Sequence, residues 1–352
     1  MTGTTAMGEF ELIRRYFERR ASASAANPVV ALGIGDDCAL LSPRPGTQLA
    51  VSTDLLVQGT HFFADVCPNA LGHKALAVNL SDLAAMGARP LGFTLALALP
   101  AVDEAWLEQF SAGLFALADA HQCTLIGGDT TRGPLTICIT VWGEIPVADG
   151  APGALRRSGA RAADDVYVSG HLGEARLALL ALQGQLMLPN ALLQSARLRL
   201  ERPTPRVELG LALRGIATSA IDLSDGLAGD LGHIMKASGL GSTLEKESIL
   251  NTIDIKYRAN NALYLSTISA NNNLSTEKYL LSLILIGGDD YELAFTAPRQ
   301  QREAVLRAAA AANTPVTRVG RMDATSGLRL ADPAGQVVDF QAASFDHFRA
   351  HS

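Results

Sequence analysis

The chain has no apolar run long enough to cross a bilayer. Its longest, around Leu91–Val102, is broken by Thr94 and Pro100 and falls far short of about 20 residues. Nor does a basic segment lead into an apolar core at the N-terminus, where Glu9, Glu11, Arg14 and Arg15 come first. Neither a membrane protein nor a secreted one is expected, and the cytoplasm is the expected compartment. Cysteine is scarce: Cys38, Cys67, Cys123 and Cys138 form no Cys-x-x-Cys pair and no zinc spacing, and read as reduced thiols. There is no basic excess, with 29 Lys+Arg against 35 Asp+Glu, so no nucleic-acid partner is expected. The common nucleotide loops are missing too. Gly128-Asp129-Thr130-Thr131-Arg132-Gly133 has the wrong spacing for a phosphate-binding loop and lacks its lysine. Gly33-Ile34-Gly35 runs into Asp36-Asp37, and no kinase-type His-Arg-Asp occurs.

What is present is a chain of 352 residues, 48% hydrophobic and rich in Ala and Leu, long enough for two domains with a core each. An amphipathic helix with Phe10, Ile13 and Phe17 at helical spacing opens it. Strands over 29–34 and 48–53, a helix over 71–86, a strand over 91–99, a helix over 103–121, a short strand over 124–126 and a strand over 135–145 follow. Pro146–Pro152 reads as the linker. A second alternation of strands and helices runs to about Leu330. The order predicts an α/β fold with helices laid over sheets. Between about 245 and 282 the composition turns to Asn, Lys, Ser and Ile, which reads as a variable surface excursion or a substrate lid.

Aspartate recurs beside Gly, Ser or Thr at expected strand ends and turns. The places are Gly35-Asp36-Asp37, Ser52-Thr53-Asp54, Ser81-Asp82, Gly127-Gly128-Asp129, Asp222-Leu223-Ser224-Asp225-Gly226 and Gly287-Gly288-Asp289-Asp290. Any one of these is an ordinary turn former. Together they follow apolar strands, where ligands gather in α/β sheets. Converging carboxylates repel unless a cation intervenes. Oxygen-only donors select a hard divalent ion, and Mg²⁺ borrows its other ligands from water and phosphates. Neighbouring glycines let backbone amides approach a phosphate. A Mg²⁺–phosphate site follows from these residues. Asp82 differs in lying on a helix, sharing a face with Asn79 that Met86 continues. On an apolar face it is paired or metal-bound; the alternative is a solvated residue near the helix end.

Several stretches resemble thiamine-monophosphate kinases. They are Gly-Ile-Gly-Asp-Asp-Cys-Ala-Leu-Leu (33–41), Ser-Thr-Asp-Leu-Leu-Val-Gln-Gly-Thr-His-Phe (52–62) and Lys-Ala-Leu-Ala-Val-Asn-Leu-Ser-Asp-Leu-Ala-Ala-Met-Gly-Ala (74–88). Ile-Gly-Gly-Asp-Thr-Thr-Arg-Gly (126–133), Arg-Ser-Gly-Ala (157–160), Ile-Asp-Leu-Ser-Asp-Gly-Leu (221–227) and Gly-Gly-Asp-Asp-Tyr-Glu-Leu (287–293) continue the series. The likeness runs from about Gly8 to Phe348 and weakens only across the Asn/Lys-rich stretch. It implies the two-domain α/β fold with mixed sheets of the aminoimidazole-ribonucleotide synthetase and selenophosphate synthetase superfamily. In that fold residues 1–148 bind Mg²⁺ and ATP and form a homodimer through their sheet, while 149–352 complete a cleft holding ATP. Sister families fit less well. The first lysine is Lys74, far from the N-terminal catalytic lysine of selenophosphate synthetases. Gly59-Thr60-His61 replaces the Gly-Thr-Lys of the ribonucleotide synthetases, and the chain ends His351-Ser352 without the functional cysteine of the hydrogenase-maturation relatives.

Carried over by position, the resemblance implies that Asp37, Ser52, Thr53, Asp54, Asp82, Asp129, Asp222 and Asp225 hold several Mg²⁺ ions. Gly128, Asp129, Arg157 and Ser224 would contact ATP, the co-substrate. His61, Asp289 and Phe345 would face thiamine monophosphate; the family has Glu where this chain has Asp289. Read by themselves, His61 is a structural or surface histidine and Arg157 part of a solvated basic turn. The implied reaction is direct, in-line transfer of the γ-phosphoryl of ATP to thiamine monophosphate, giving thiamine diphosphate with no covalent nucleophile and no general base. Two alternatives stay open: another ATP-dependent small-molecule enzyme of the superfamily, or a non-catalytic Mg-nucleotide sensor.

Overall fold

The structure is a computed structural model that describes residues 8–18, 27–148, 151–254 and 275–338. Phe345 lies outside the described residues, as does most of the Asn/Lys-rich stretch. The chain divides into two compact units, one of Met1–Leu83 and Ala88–Gly153, the other of Ala84–Gly87 and Ala154–Ser352.

In the first unit, α1 (Glu9–Leu12) passes directly into a π-helical turn over Ile13–Glu18. The wider turn rotates the inward face. Leu12, Tyr16 and Phe17 are buried, whereas Phe10, expected inside, is 80% exposed. A small antiparallel ribbon of β1 (Val30–Leu32) and β2 (Leu40–Leu41) follows. Then come β3 (Thr47–Val57), α2 (Pro68–Ala85), β4 (Arg89–Leu99), α3 (Glu104–Ala120), β5 (Thr124–Arg132), β6 (Thr136–Ala148) and β7 (Ala151–Pro152). The sheet order is β3-β6-β4-β5, with β7 added on β6. Only β4 and β5 are parallel, and α3 supplies the crossover such a pair requires. Asp103 caps α3, its side chain accepting from the amide of Trp106 at 3.0 Å. The expected linker is a hairpin: β6 runs on to Ala148, β7 folds back, and the Gly153 amide donates to the Pro146 carbonyl at 2.9 Å.

The two faces of this sheet differ. Phe93, Leu95, Ile137, Ile139 and Val141 are buried, and each such apolar side chain contributes about 1.5–3 kcal/mol. On the other face Leu49, Val51 and Leu55 are about half exposed, at 46%, 57% and 51%. Helix α2 is apolar on nearly every side: Ala75, Leu76, Ala77, Leu80, Leu83 and Ala84 are each at most 1% exposed. Asn79 and Ser81 are polar residues buried in it. The helix ends at Ala85, so Met86 does not extend its face.

The second unit is built on a seven-stranded mixed sheet. Its elements are β8 (Asp165–Ser169), α4 (Glu174–Leu182), α5 (Asn190–Glu201), α6 (Val207–Ala212), β9 (Ser219–Asp222), α7 (Leu227–Ser238) and β10 (Gly241–Glu245), then α8 (Lys246–Leu250) and α9 (Thr276–Ile286). They continue with β11 (Leu293–Ala297), α10 (Arg302–Ala311), β12 (Val316–Asp323), β13 (Gly327–Ala331) and β14 (Val337–Val338). The strand order β14-β13-β10-β12-β8-β11-β9 sets β9 beside β11, although α7 to α9 separate them in sequence. Strands β8, β9 and β11 are buried at every position. Within the Asn/Lys-rich stretch, α9 is a core helix rather than an excursion, with Tyr279, Leu280, Leu281, Leu283, Ile284 and Leu285 buried.

Candidate active site

Two of the aspartate motifs read as turns lie inside strands. Ser52-Thr53-Asp54 falls in the middle of β3 and Gly127-Gly128-Asp129 in the middle of β5. Alternation then sends neighbouring side chains to opposite faces. Ser52 and Asp54 point towards α2, where the Ser52 hydroxyl donates to Asp82 and the Asp54 amide donates to Asn79 Oδ1 at 3.1 Å. Asn79 is held in turn by its Nδ2 donating to the Ala75 carbonyl at 3.0 Å. Thr53 faces away and shares a hydrogen bond of 2.8 Å with Thr140.

This helix–strand contact gathers Ser52, Asp54 and Asp82. Burial, with the Asp82 carboxylate beside it, pushes the Asp54 carboxyl up from 3.8 to about 6. Two carboxylates that raise each other's cost of ionisation, in an all-oxygen setting, fit a hard cation. Among the described residues no three His, Cys, Asp or Glu side chains form a group that could hold a metal ion unaided. A hard cation at this pair would need water and phosphate oxygens to complete its shell.

Asp129 lies elsewhere in the same sheet. It is in register with Ala96, which pairs with Cys138, which pairs with Leu55. That row belongs to the open face, and β5 is three strand spacings from β3, roughly 14 Å. Gly128, one residue earlier, packs so closely on β4 that a Cβ there would sit 1.9 Å from the Leu95 carbonyl oxygen. Asp37 is exposed in the bend before β2, its amide bonded to the Asp36 side chain at 2.9 Å. His61 lies just beyond β3, and its Nδ1 accepts from the Val57 amide at 3.0 Å. That bond fixes the neutral ring as the Nε2–H tautomer.

In the second unit Asp222 ends β9 and is buried, and Ser224 and Asp225 form the turn into α7. Asp230, in the first turn of α7, accepts from the Asp225 amide at 3.0 Å. Burial pushes its carboxyl up to about 7, against the lowering effect of the Asp225 amide. The Asp289 turn packs on the same loop. The amides of Asp289 and Tyr291 donate to the carbonyls of Ser224 and Leu223 at 2.9 and 2.8 Å, and the Leu223 amide donates to the Glu292 carbonyl at 2.8 Å. Asp222, Ser224, Asp225 and Asp289 thus sit on two joined turns at the ends of adjacent strands. Arg157 is exposed in the same unit, its carbonyl accepting from the Ser238 hydroxyl at 3.4 Å.

Sequence reasoning missed Asp230 and Glu292. An acid in the first turn of a helix was the available signal for Asp230; Glu292 is spelled in the 287–293 motif, but nothing local gives its partners.

Residues 35–145 match the family model of the AIR synthase related protein, N-terminal domain. The thiamine-monophosphate kinase of Salmonella typhimurium is 45% identical over 97% of this chain and 99% of its own length. That of Haemophilus influenzae is 40% identical over 98% and 99%. The chain belongs to the thiamine-monophosphate kinase family. Solved structures agree. The thiamine-monophosphate kinase of Stenotrophomonas maltophilia has a TM-score of 0.79 at 44% identity, covering 95% of this chain and 99% of that one. AaThiL, complexed with AMPPCP and TMP, has 0.69 at 27% identity, covering 97% of each chain. Hydrogenase maturation protein HypE in complex with ATP, at 19% identity and a TM-score of 0.71 over 95% of each chain, shares the fold. The family fold is the mixed α/β arrangement of the aminoimidazole-ribonucleotide synthetase type that the motifs imply. Among the described residues no helix is long and apolar enough to cross a membrane.

Proposed function

We propose that the chain phosphorylates thiamine monophosphate at the expense of ATP, giving thiamine diphosphate and ADP. The observation that carries this reading is the Ser52–Asp54–Asp82 oxygen site in a chain matching thiamine-monophosphate kinases along nearly its whole length. A phosphate oxygen of the acceptor, already ionised at neutral pH, attacks the γ-phosphorus as the bond to the β-phosphate oxygen breaks, so the chain supplies neither nucleophile nor base. Its own task is to bring two polyanions together. Mg²⁺ held by Asp54 and Asp82, with Ser52 beside them, would neutralise charge on the transferring group; Asp37, Asp222 and Asp225 would serve further ions, while Thr53 and Asp129, on the sheet's other face, do not join the Asp54–Asp82 site. Gly128, Asp129, Ser224 and Arg157 bind ATP, the guanidinium countering phosphate charge. His61 donates from Nε2 to the acceptor phosphate, and Asp289 takes the place of the family's glutamate on the acceptor side, one methylene shorter. We assign the chain to the cytoplasm, where its free thiols are stable.

The half-exposed face of the β3-β6-β4-β5 sheet is the surface for a homodimer, because Leu49, Val51 and Leu55 form an apolar row there. The test of the reaction is ADP release with and without thiamine monophosphate. Stimulation by it supports the kinase; nucleotide binding without stimulated turnover would make the chain a sensor.

A further inference from the structure

The Gly-Gly-Asp-Asp-Tyr-Glu segment carries three acids, and the structure gives them different work. Asp289 is the one placed on the acceptor side. Asp290 and Glu292 are 6% and 1% exposed. Both carboxylate oxygens of Asp290 accept from the Gly173 amide at the start of α4, at 3.1 and 2.9 Å. Glu292 is gripped from three sides: Arg206 Nε and an Arg206 terminal nitrogen at 2.6 Å each, an Arg199 terminal nitrogen at 2.7 Å and the Ser169 hydroxyl at 2.6 Å. Burial alone would raise its carboxyl, yet the two guanidiniums and the hydroxyl hold it below the ordinary value. The fit is close. Gly170 has φ +57°, and a Cβ there would lie 2.0 Å from Glu292 Oε1.

This clamp sits under a strained stretch of backbone. Asp289 and Tyr291 both have positive φ, 68° and 49°, which costs non-glycine residues of order 1–3 kcal/mol each. Three backbone hydrogen bonds tie the same stretch to Leu223 and Ser224, and a Cβ on Gly288 would come within 2.3 Å of the Ser224 carbonyl oxygen. Something outside the turn must hold that conformation, and Glu292 is the residue anchored on both sides of it: its carbonyl accepts from Leu223 and its carboxylate is fixed to α5 through Arg199 and to Arg206 just before α6.

We infer that Glu292 is a positioning residue, whose clamped carboxylate sets the Asp289–Tyr291 turn against the Leu223–Ser224 turn and so fixes the acceptor-side carboxylate relative to the nucleotide-side loop. The inference rests on the functional reading above for what the two turns bind. It needs no contact between Glu292 and either substrate. A role confined to fold stability would lower the melting temperature and leave the kinetics of the folded fraction unchanged. A positioning role weakens both substrates together.

The experiment uses the full chain and two variants, Glu292→Gln and the milder Ser169→Ala. In Glu292→Gln the amides of Leu223, Asp289 and Tyr291 should exchange with deuterium about ten- to a hundred-fold faster, measured against the β8 amides. The KM values for thiamine monophosphate and for ATP should rise together by a similar factor per folded molecule, with Ser169→Ala intermediate. Should Glu292→Gln not fold, Ser169→Ala decides alone. Unchanged exchange at the three amides, or faster exchange with both KM values unchanged, overturns the inference. If the unaltered chain shows no ADP release stimulated by thiamine monophosphate, the functional reading fails instead. The inference is then judged on the exchange rates and on affinity for a non-hydrolysable ATP analogue, and unchanged affinity overturns it.

Discussion

Replacing Asp54 by Asn should stabilise the metal-free protein at neutral pH and remove its response to Mg²⁺. The folded-state carboxyl stands at about 6 against 3.8 unperturbed, because burial and Asp82 oppose its ionisation. A raised carboxyl has its full relative stability below pH 3.8 and loses it as pH climbs through 6. At about 1.4 kcal/mol per pH unit, the loss is about 1 kcal/mol at pH 4.5 and about 3 kcal/mol above pH 7. For a unit of this size that is a melting shift of about 6–12 °C. Thermal melts of wild type and Asp54→Asn, in chelator at pH 4.5 and pH 8 and then with Mg²⁺, measure it. The variant should gain most at pH 8, and Mg²⁺ should raise only the wild type. An equal gain at both pH values would refute the electrostatic origin. An equal Mg²⁺ response would refute Asp54 as a ligand.

Asp82→Asn should lower turnover about 100-fold or more while the circular dichroism spectrum stays that of the wild type; near-normal turnover removes Asp82 from the metal site. Val51→Glu places a charge on the half-exposed sheet face and should shift the particle from dimer to monomer in light scattering, an unchanged mass refuting that face as the interface. Gly128→Ala forces a Cβ onto the Leu95 carbonyl and should cost about 3 kcal/mol or more in denaturant unfolding, whereas an unmoved midpoint would show that β4 and β5 yield.

The alternation of apolar segments made the fold class legible in the sequence, and the aspartates following them are what suggested a Mg²⁺–phosphate site. Asp82 was readable because a lone carboxylate on an apolar helix needs a partner, and Ser52 supplies one. Motif spelling could not tell a turn from a strand interior. Ser-Thr-Asp and Gly-Gly-Asp look alike in composition, but both lie within paired strands, and strand pairing sends Asp54 and Asp129 to opposite faces. The π-helical turn was hidden for a similar reason, since periodicity assumes 3.6 residues per turn. The role of Glu292 was not legible: its partners, Ser169, Arg199 and Arg206, lie 123, 93 and 86 residues upstream and meet it only once the sheet forms.

The junction of the β9 and β11 turns bears on how this chain can change over generations. The backbone leaves that junction at Gly226 and returns to it at Gly287, stitched by the same three amides. A tract whose departure and arrival are pinned at one spot can drift in composition without moving either turn, provided α7, α8 and α9 keep their buried faces and β10 keeps its place between β12 and β13. The shift to Asn and Lys between them then reads as a licence granted by topology.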